Sequence, residues 1–494
     1  MTTRELADAA VAQAVVAPLV ARGEIIESDL VEYGGRNGDL RFLSPDVRKH
    51  LGRIPLGSAG RMADLYAISF EDIVAFLAEV GARLDVRTNA HLRRARELSY
   101  RTAPTTPPLV DAAYERMRTY FKPEHVREMA SLIGLPYLEG WVEHERVNGV
   151  KLAVRCFGAR TLHIVAGNSP MISASSIVRN AILRSDAIIK APSNDPFTAL
   201  AIARTMIEVD PTHPLTRHLT VAYWRGGDTE IEEQLYQPHN IEKIVAWGGF
   251  ASIKHVTRYI QPGLELISLD PKRSASVVGA DVFRDDDAMR AAAVRIAADM
   301  GGLNQVACVN ARVVYVQSGT DDAGLERLNR LGDYVYQELM GLPQDFSTKP
   351  KDIDRELRAH VEALRLDDSW YKVVGGEDDE GAVIVSQLPQ PVDFQTLLGN
   401  RTANLVPVDS VGDMLGAITA YTQTVGVYPE SLKRQVRDEM ALYGAQRFVS
   451  LGYATSGSYA APQDGLELLR RMGKWIVDEA SSPETVAAPW SHPG

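Results

Sequence analysis

The chain has 494 residues, 45% of them hydrophobic and 24% charged, which is enough to bury a large core and to form two or three lobes. Its formal net charge of -11 argues against a nucleic-acid-binding protein, which would present a basic face, but it does not exclude an anionic ligand. The two cysteines, Cys156 and Cys308, are too few for a disulfide framework or a CxxC metal site, so we expect a cytoplasmic protein without a structural metal.

The sequence predicts neither a secretion signal nor a membrane span. The N-terminus carries Glu5 and Asp8 and lacks the basic segment of a signal peptide. The longest apolar stretch, from Val15 to Ala21, contains a proline and is far shorter than the ~20 residues that a membrane helix needs. Residues 481–494 include a polar, proline-containing end and predict a flexible tail.

Residues 1–105 predict a mostly helical N-terminal extension. From Asp64 to Ala82, apolar residues recur at helical spacing and predict one amphipathic helix. The proline- and threonine-rich stretch from Thr102 to Pro108 predicts a linker to the next domain.

From Thr161 onward, short β-branched runs alternate with helical stretches. Ser169 fits a helix N-cap with Pro170 at the first helical position, and Asp195-Pro196 repeats this arrangement. The alternation predicts a parallel sheet with helices on both faces, which we assign to a Rossmann-like NAD(P)-binding domain over residues 106–275. The predicted strands are Thr161–Ala166, Ala187–Lys190, Leu219–Trp224 and Ile244–Trp247.

The next part of the chain, residues 276–424, predicts a second α/β domain that carries Cys308. Its predicted helices are Asp285–Asp299 and Leu325–Gly341, and its predicted strands are Ala311–Val316 and Ala403–Pro407. We assign residues 425–480 to the completion of the first domain, with a strand at Arg447–Leu451 and a helix from Asp464 to Val477.

Cys308 is the residue that points most directly to chemistry. It lies in a small, glycine-containing segment just before an apolar run, where a thiol at the mouth of a strand could act as a nucleophile. A free thiol has a pKa of about 8.5 and needs a neighbouring group to become a thiolate. The alternative is that the cysteine is a small buried hydrophobic residue, an interpretation that suits Cys156 better.

Other candidate residues follow the ends of the predicted strands, where ligands of parallel sheets bind. The Asn168 amide could donate to a developing oxyanion or simply cap a helix, and Lys190 could meet a ribose or phosphate or simply be solvated. Glycines in these turns would let a dinucleotide approach the backbone, although any tight turn favours glycine. They are Gly226, Gly227, Gly248 and Gly249.

Several common motifs are absent from the sequence: GxGxxG, the P-loop, HExxH and GxSxG. The ordinary Rossmann dehydrogenase, kinase, zinc protease and α/β-hydrolase interpretations therefore lack support.

Taken together, these features resemble the aldehyde dehydrogenase superfamily and, more closely, the acyl-CoA reductases of bacterial luminescence, the LuxC fatty-acid reductase family. The resemblance runs from about residue 150 to 480, and it depends on the order and spacing of the motifs. They are Val165-Ala-Gly-Asn-Ser-Pro170, Ile189-Lys-Ala-Pro-Ser193, Trp247-Gly-Gly249, Asn304-Gln305 before Cys308, Gln423-Thr-Val-Gly426 and Pro462-Gln-Asp-Gly465.

The resemblance implies an aldehyde dehydrogenase-like α/β fold with two Rossmann-like lobes, one that binds the cofactor and one that is catalytic. Cys308 would attack an acyl thioester, with Asn168 and the Cys308 backbone N–H as the oxyanion hole. CoA would leave, and NADPH would reduce the cysteine-bound acyl group to an aldehyde. The implied cofactor-binding residues are Lys190, Ser193, Gly226, Gly227, Trp247, Gly248 and Gly249.

The resemblance also implies partners. The acyl donor would be an acyl-CoA or an acyl carrier protein, an acyl-activating synthetase is a candidate partner, and we expect a homo-oligomer.

The sequence departs from the family pattern at several positions. Aldehyde-oxidising relatives carry a Glu-Leu-Gly-Gly-Lys motif, whereas the corresponding stretch here lacks it and offers only Asp270 as a substitute. Ser193 stands where NAD-preferring relatives hold the ribose with a glutamate, which favours or permits NADPH. The Glu-Ile-Phe-Gly-Pro ribose clamp is not visible between Leu398 and Leu405, and Gln463 replaces an expected histidine.

The leading hypothesis is therefore an NADPH-dependent reductase that converts an acyl thioester to an aldehyde. One alternative keeps the fold and the thiolate but works as a CoA-acylating aldehyde dehydrogenase in the oxidative direction. Another is a non-reducing acyl-transfer or scaffold subunit in which Cys308 only carries the acyl group. A regulatory binding protein is the remaining alternative.

Overall fold

The computed structural model describes residues 15–35, 40–147 and 150–482, together with residues 484, 488 and 490. Most of the predicted flexible tail, 481–494, lies outside the described residues. The chain divides into two compact units. Unit 1 comprises Met1–Thr102, Ala113–Asp270 and Tyr459–Gly494, and unit 2 comprises Ala103–Ala112 and Pro271–Ser458.

Within the described residues, unit 1 is built on a seven-stranded sheet. Its first five strands pair in parallel and the last two pair antiparallel. The central strands are buried along most of their length because helices cover the sheet, as the alternating sequence predicts. In spatial order the strands are Glu265–Leu269, Lys243–Trp247, Arg160–Ile164, Asp186–Lys190, Leu219–Ala222, Leu19–Ala21 and Glu24–Ile26.

Two helices of this sheet test the predicted capping residues. Pro170–Ile182 begins as predicted, with the Ser169 side chain accepting a hydrogen bond from the Met171 N–H. The next helix, Thr198–Val209, begins later than the Asp195-Pro196 pattern indicates. The Asp195 carboxylate accepts hydrogen bonds from the Thr198 backbone and hydroxyl at 3.1 and 2.6 Å, so it caps from three residues upstream and Pro196 lies outside the helix.

The N-terminal part of unit 1 differs from its prediction in two ways. Short strands precede the helices: Val15–Val16, Leu19–Ala21, Glu24–Ile26, Leu30–Gly34 and Arg41–Pro45. The single predicted helix from Asp64 to Ala82 is wrong, because a 3-10 helix at Ala59–Tyr66 and an α-helix at Phe70–Arg83 replace it. The break is a capping box in which Ser69 and Asp72 exchange hydrogen bonds between side chain and backbone.

Further helices occur before residue 260. The α-helices are Val47–His50, Ala90–Thr102, Pro107–Met117, Pro123–Ser131, Leu135–Glu139, Pro214–Arg217, Thr229–Leu235 and Phe250–Val256. The 3-10 helices are Leu51–Arg53, Arg118–Phe121 and Thr257–Tyr259.

A small antiparallel sheet in unit 1 overturns one prediction. Helix extends only over Leu468–Met472 instead of from Asp464 to Val477, and Lys474–Ala480 is a strand. This strand pairs along its whole length with Lys151–Phe157, which also pairs with Val142–Glu145. The long-range pairing overrides the helical pattern of the local sequence.

Unit 2 also contains a seven-stranded sheet among its described residues. All neighbouring strands are parallel except the first pair, which is antiparallel. In spatial order the strands are Tyr371–Gly375, Ala382–Ser386, Ala403–Pro407, Ala311–Val316, Arg273–Val278, Thr422–Tyr428 and Arg447–Ser450. The α-helices are Asp286–Gly301, Asp322–Gly341, Arg355–Leu364 and Glu430–Tyr443, and the 3-10 helices are Ala280–Phe283, Gly302–Gln305 and Val411–Ala417.

The central strand Ala311–Val316 has the bounds that the sequence predicts, and both of its faces are covered. Val313 and Tyr315 belong to one buried cluster, whereas Val314 and Val316 belong to another. A strand buried on both faces reads as a continuous apolar run, which is why this one is recognisable in the sequence.

The observed unit boundaries differ from the predicted domains. The sequence predicts that residues 425–480 complete the first domain. The strand Thr422–Tyr428 instead pairs with Arg273–Val278 in unit 2, and Arg447–Ser450 pairs beside it. These pairings place both strands in unit 2, which extends to Ser458.

Candidate active site

Cys308 lies in unit 2, between the helix that ends at Gly301 and the strand that begins at Ala311. Three consecutive residues just before it have positive φ angles of 53 to 61°: Leu303, Asn304 and Gln305. Side-chain-bearing residues rarely adopt this conformation, which costs on the order of 1 kcal/mol or more at each position. Surrounding contacts must therefore hold the segment in place.

Two buried amide side chains supply such contacts. Gln305 Nε2 donates to the carbonyl oxygens of Ala311 and Thr402 at 2.8 and 3.0 Å, and Gln305 Oε1 accepts from the Thr402 N–H at 2.8 Å. Asn304 Oδ1 accepts from the Thr348 N–H at 2.8 Å, and Asn304 Nδ2 donates to the Thr348 hydroxyl at 3.0 Å. The Asn-Gln pair ahead of the cysteine thus fixes the backbone.

Further hydrogen bonds hold the backbone around Cys308 itself. The Ser274 hydroxyl donates to the Cys308 carbonyl at 2.7 Å and accepts from the Thr424 N–H at 3.0 Å. On the other side, Asn310 Oδ1 accepts from the Ala307 N–H at 3.2 Å. Cys308 as a residue is only partly buried, and these hydrogen bonds hold its backbone in place.

Two partly buried arginines provide positive charge near this thiol. The charge of Arg312 interacts with Cys308, and burial together with the like charge of Arg273 lowers the Arg312 pKa to about 10. Arg447 also interacts with Cys308, and burial lowers its pKa against the opposing effects of Asp299 and Cys308. Neighbouring cations favour a thiolate over a thiol.

Neither arginine is predicted as a site residue from the sequence. Arg312 could have been noticed as a cation four residues after the cysteine, at the start of a predicted strand. Arg447 begins a strand 139 positions further on, and no local signal connects it with Cys308.

Cys156 has the contrasting environment. It is buried in unit 1, and burial raises its pKa to about 11. A Cβ atom on Gly473 would lie 2.5 Å from its sulfur, so the thiol is tightly packed. This is the structural role that the sequence indicated.

Lys190 lies in unit 1 at the end of the strand Asp186–Lys190 and is not an ordinary solvated lysine. Its side chain is buried, its Nζ lies 5.3 Å from the centre of the Trp224 ring, and burial lowers its pKa to about 8 against the opposing charge of Glu232. Among the described residues Nζ makes no hydrogen bond. A buried ammonium without such a partner suits a polar or anionic ligand.

The turn after the next strand lies against Lys190. A Cβ atom on Gly226 would be 3.9 Å from Lys190 Nζ, and Gly227 adopts a φ of +88°, which glycine tolerates. The Gly227 N–H donates to the buried Glu232 carboxylate at 3.1 Å. Glu232 was not foreseen, because it lies within a helical segment whose sequence gives no sign of this contact.

Asn168 lies in the turn before the helix Pro170–Ile182. Ser169, not Asn168, caps that helix, so the capping alternative for Asn168 is wrong. The Asn168 Oδ1 atom is buried and has no hydrogen-bond partner within the described chain. Its role in an oxyanion hole stays a prediction.

Trp247 is the last residue of the strand Lys243–Trp247, and Gly248 and Gly249 follow it. The Trp247 Nε1 atom is buried without a hydrogen-bond partner in the part of the chain that the structure describes. Gly249 is the N-cap of Phe250–Val256, and a Cβ atom on Gly248 would contact Ser252 at 3.1 Å.

The structure thus brings the unit 1 candidates to one edge of the sheet. Each follows the carboxyl end of one of four adjacent parallel strands, the edge at which such sheets bind ligands. They are Asn168, Ser193, Gly226, Gly227, Gly248 and Gly249, with Lys190 and Trp247 as the last residues of their strands.

Gln463 and Asp270, at which the sequence departs from the family pattern, both lie in unit 1. Gln463 Oε1 accepts a hydrogen bond from Arg179 Nη2 at 3.1 Å, so the amide anchors a guanidinium whose pKa is lowered by burial. Asp270 directly follows the edge strand Glu265–Leu269.

A comparison with protein families identifies the chain. The model of the acyl-CoA reductase (LuxC) family matches residues 65–475. The chain belongs to this family.

Curated relatives support the same family. The chain is 28% identical over 330 residues to a long-chain acyl-protein thioester reductase of Vibrio harveyi, a match that covers 66% of this chain and 65% of that protein. It is 29% identical over 329 residues to the protein of the same description from Photorhabdus laumondii, with 66% and 65% covered. The chain thus spans a little under two thirds of the length of these relatives.

Solved structures confirm the aldehyde dehydrogenase-like fold. NADP-dependent glyceraldehyde-3-phosphate dehydrogenase from Bacillus halodurans has a TM-score of 0.70 at 12% identity, with 94% of this chain and 98% of that chain covered. Aldehyde dehydrogenase 21 from Physcomitrella patens has a TM-score of 0.71 at 11% identity, with 95% and 98% covered.

Metal and membrane features complete the description of this family member. The described residues contain no group of three or more histidine, cysteine or acidic side chains arranged to hold a metal ion. In the same part of the chain, no helix has both the length and the apolar character needed to cross a bilayer.

Proposed function

We propose that this protein reduces an acyl thioester to an aldehyde through an acyl group carried on Cys308. The observation that carries the proposal is the environment of Cys308, a partly buried cysteine on a fixed backbone beside two cationic side chains. The relatives described as long-chain acyl-protein thioester reductases support the substrate class. The acyl donor would be an acyl-CoA, an acyl carrier protein or another acyl-protein.

The first step is transfer of the acyl group to the protein. The Cys308 sulfur attacks the carbonyl carbon of the thioester, a new carbon–sulfur bond forms, and the carbon–sulfur bond to the donor breaks. The departing thiolate takes a proton from water. The Asn168 amide and the Cys308 N–H are the proposed donors to the oxygen that becomes negative during the attack.

A nicotinamide cofactor, when bound, supplies the hydride that reduces the acyl group. The carboxyl edge of the unit 1 sheet fits this group, because it combines the buried Lys190 ammonium with glycine turns that leave the backbone accessible. Reduction gives a thiohemiacetal on Cys308, whose oxygen takes a proton from water. Loss of that proton and cleavage of the carbon–sulfur bond release the aldehyde and restore the Cys308 thiolate.

Ser193 supports a preference for NADPH. It stands where NAD-preferring relatives carry a glutamate that would repel a 2′-phosphate, and it lies in the turn that follows Lys190. The substitution Ser193→Glu should therefore lower the ratio of NADPH to NADH activity by tenfold or more. An unchanged ratio would show that other groups set the preference.

Two further expectations concern partners. An acyl-activating synthetase as a partner and a homo-oligomeric assembly stay predictions from the family resemblance.

The test mixes purified protein with NADPH and acyl-CoAs of increasing chain length, and follows NADPH oxidation and thiol release together. We expect the two to be stoichiometric in the wild type and in Cys156→Ala, and both to disappear in Cys308→Ala. Thiol release without NADPH oxidation would contradict the reductase proposal and favour acyl transfer. Reduction of NADP by aldehyde and CoA, with no reaction in the opposite direction, would favour the CoA-acylating dehydrogenase.

A further inference from the structure

Arg312 and Arg447 begin two strands of the same parallel sheet, so both lie at its amino-terminal edge. Between these strands lie two others, which begin near Ser274 and Thr424. Since the Ser274 hydroxyl joins the Cys308 carbonyl to the Thr424 N–H, the cysteine is tied to the middle of this edge. The arginines therefore flank Cys308 along the sheet.

The hydrogen bonds of both guanidinium groups within the described residues go to backbone carbonyl oxygens. Arg312 Nη1 donates to the Asn310 carbonyl at 3.4 Å, and Arg447 donates to the carbonyl oxygens of Ala454, at 2.7 Å, and Ser456. In the described parts of the chain neither forms an ion pair. Partly buried cations without a counterion are costly, and an adjacent anion would offset that cost.

Asp299 is the carboxyl group that interacts with Arg447. Burial raises its pKa to about 6, and its Oδ1 already accepts the Ala454 N–H at 2.9 Å. It counters Arg447 alone, whereas Arg273 adds a like charge beside Arg312. Arg312 and Arg447 thus each add a positive charge that acts on Cys308.

We infer that Arg312 and Arg447 act as positioning residues that hold Cys308 in its thiolate form. This inference rests on the proposed role of Cys308 as the nucleophile. The aldehyde-oxidising relatives use a glutamate motif that this chain lacks, whereas a thiolate that exists before substrate binds needs no base during acyl transfer. The sulfur then forms its bond to the acyl carbon without releasing a proton.

The test measures alkylation of Cys308 by iodoacetamide as a function of pH, by mass spectrometry of the Cys308 peptide and without substrate or cofactor. The wild type should react with a midpoint clearly below about 8.5, the pKa of an ordinary thiol. Arg312→Met and Arg447→Met should each slow the reaction at neutral pH about tenfold, which corresponds to an upward midpoint shift of about one unit. Cys156 provides a buried reference thiol in the same sample.

Charge is separated from folding by conservative variants. Arg312→Lys and Arg447→Lys should keep a midpoint closer to that of the wild type than the methionine variants do, because the positive charge remains. Arg437→Met, at an exposed arginine of unit 2, is the matched control and should leave the midpoint unchanged. Equal midpoints in the wild type and both methionine variants, or an ordinary midpoint in the wild type, would overturn the inference.

The readout is independent of catalysis. The alkylation midpoint of Cys308 could prove low and dependent on the arginines in a protein that reduces no thioester. That result would contradict the proposed function and support the electrostatic inference. Reductase activity that depends on Cys308, together with an alkylation midpoint near that of an ordinary thiol, would support the proposed function and contradict the electrostatic inference.

Discussion

The Ser274 hydroxyl donates a 2.7 Å hydrogen bond to the backbone carbonyl of Cys308, a residue 34 positions later in the chain. Because the same oxygen accepts the Thr424 N–H, one buried serine joins the cysteine segment to two strands of the unit 2 sheet. This connection determines where the candidate nucleophile lies, and it uses a residue type that carries no chemical signature in the sequence.

Removing this hydroxyl should loosen Cys308. Ser274→Ala leaves the partly buried Cys308 carbonyl and the buried Thr424 N–H without their partner, which should lower the free energy of unfolding by about 1–3 kcal/mol. We expect acyl transfer to slow about tenfold, because the thiol would no longer be held in one position. Single-turnover acylation and urea unfolding measure the two effects. Ser318→Ala, at a serine buried to a similar degree elsewhere in the unit, should leave acylation at its wild-type rate.

The left-handed segment before Cys308 should depend on Gln305. Gln305→Leu has a similar volume but loses three hydrogen bonds to Ala311 and Thr402, so unfolding should become easier by roughly 2–4 kcal/mol. Thermal or urea unfolding measures the loss. The same change at the exposed Gln390 should cost little. Equal stability of the two variants would mean that Gln305 does not hold the strained backbone.

Asp299 should make stability depend on pH. Burial raises its pKa to about 6 in the folded protein from 3.8, so folding favours the protonated carboxyl. The stabilisation is complete below about pH 4 and is lost as the pH rises through 6, by up to about 3 kcal/mol for a shift of this size. Unfolding measured from pH 4 to 7 should therefore show a declining stability difference between wild type and Asp299→Asn. A constant difference would contradict the raised pKa.

Lys190 should make cofactor binding depend on pH between about 7 and 9. Burial lowers its pKa to about 8, so its positive charge is present at pH 7 and is lost as the pH rises through 8. NADPH binding, followed by fluorescence, should weaken between pH 7 and 9 in the wild type. Lys190→Met should bind weakly at all of these values, and Lys190→Arg should remove the pH dependence.

The control for Lys190 is Lys254→Met, which removes an exposed lysine of the same unit. Its binding curve should follow that of the wild type. If Lys190→Met bound NADPH as well as the control, the lysine would not belong to the cofactor site.

Much of the sheet architecture could be predicted from the sequence. Ala311–Val316 and Ala403–Pro407 have the predicted bounds because most of their residues are apolar, as strands buried on both faces require. The position of Cys308 directly before such a strand was equally visible, since it depends only on neighbouring residues. Local composition was also enough to place Lys190 and the glycine turns at strand ends.

Other features depended on partners far away in the chain. Lys474–Ala480 has a sequence that fits a helix, yet it forms a strand because Lys151–Phe157 offers a complete set of backbone partners. The capping box at Ser69 interrupts what reads as one helix, because its hydrogen bonds compete with the apolar repeat.

The sequence by itself determined the family, the parallel sheets and the candidate nucleophile, because motif order and apolar runs are local properties. Only the tertiary structure decided the electrostatic environment of that nucleophile. Arg447 lies 139 residues after Cys308 and reaches it through strand order in a folded sheet, and the burial that leaves Lys190 and Arg312 with perturbed pKa values exists only once the chain has packed.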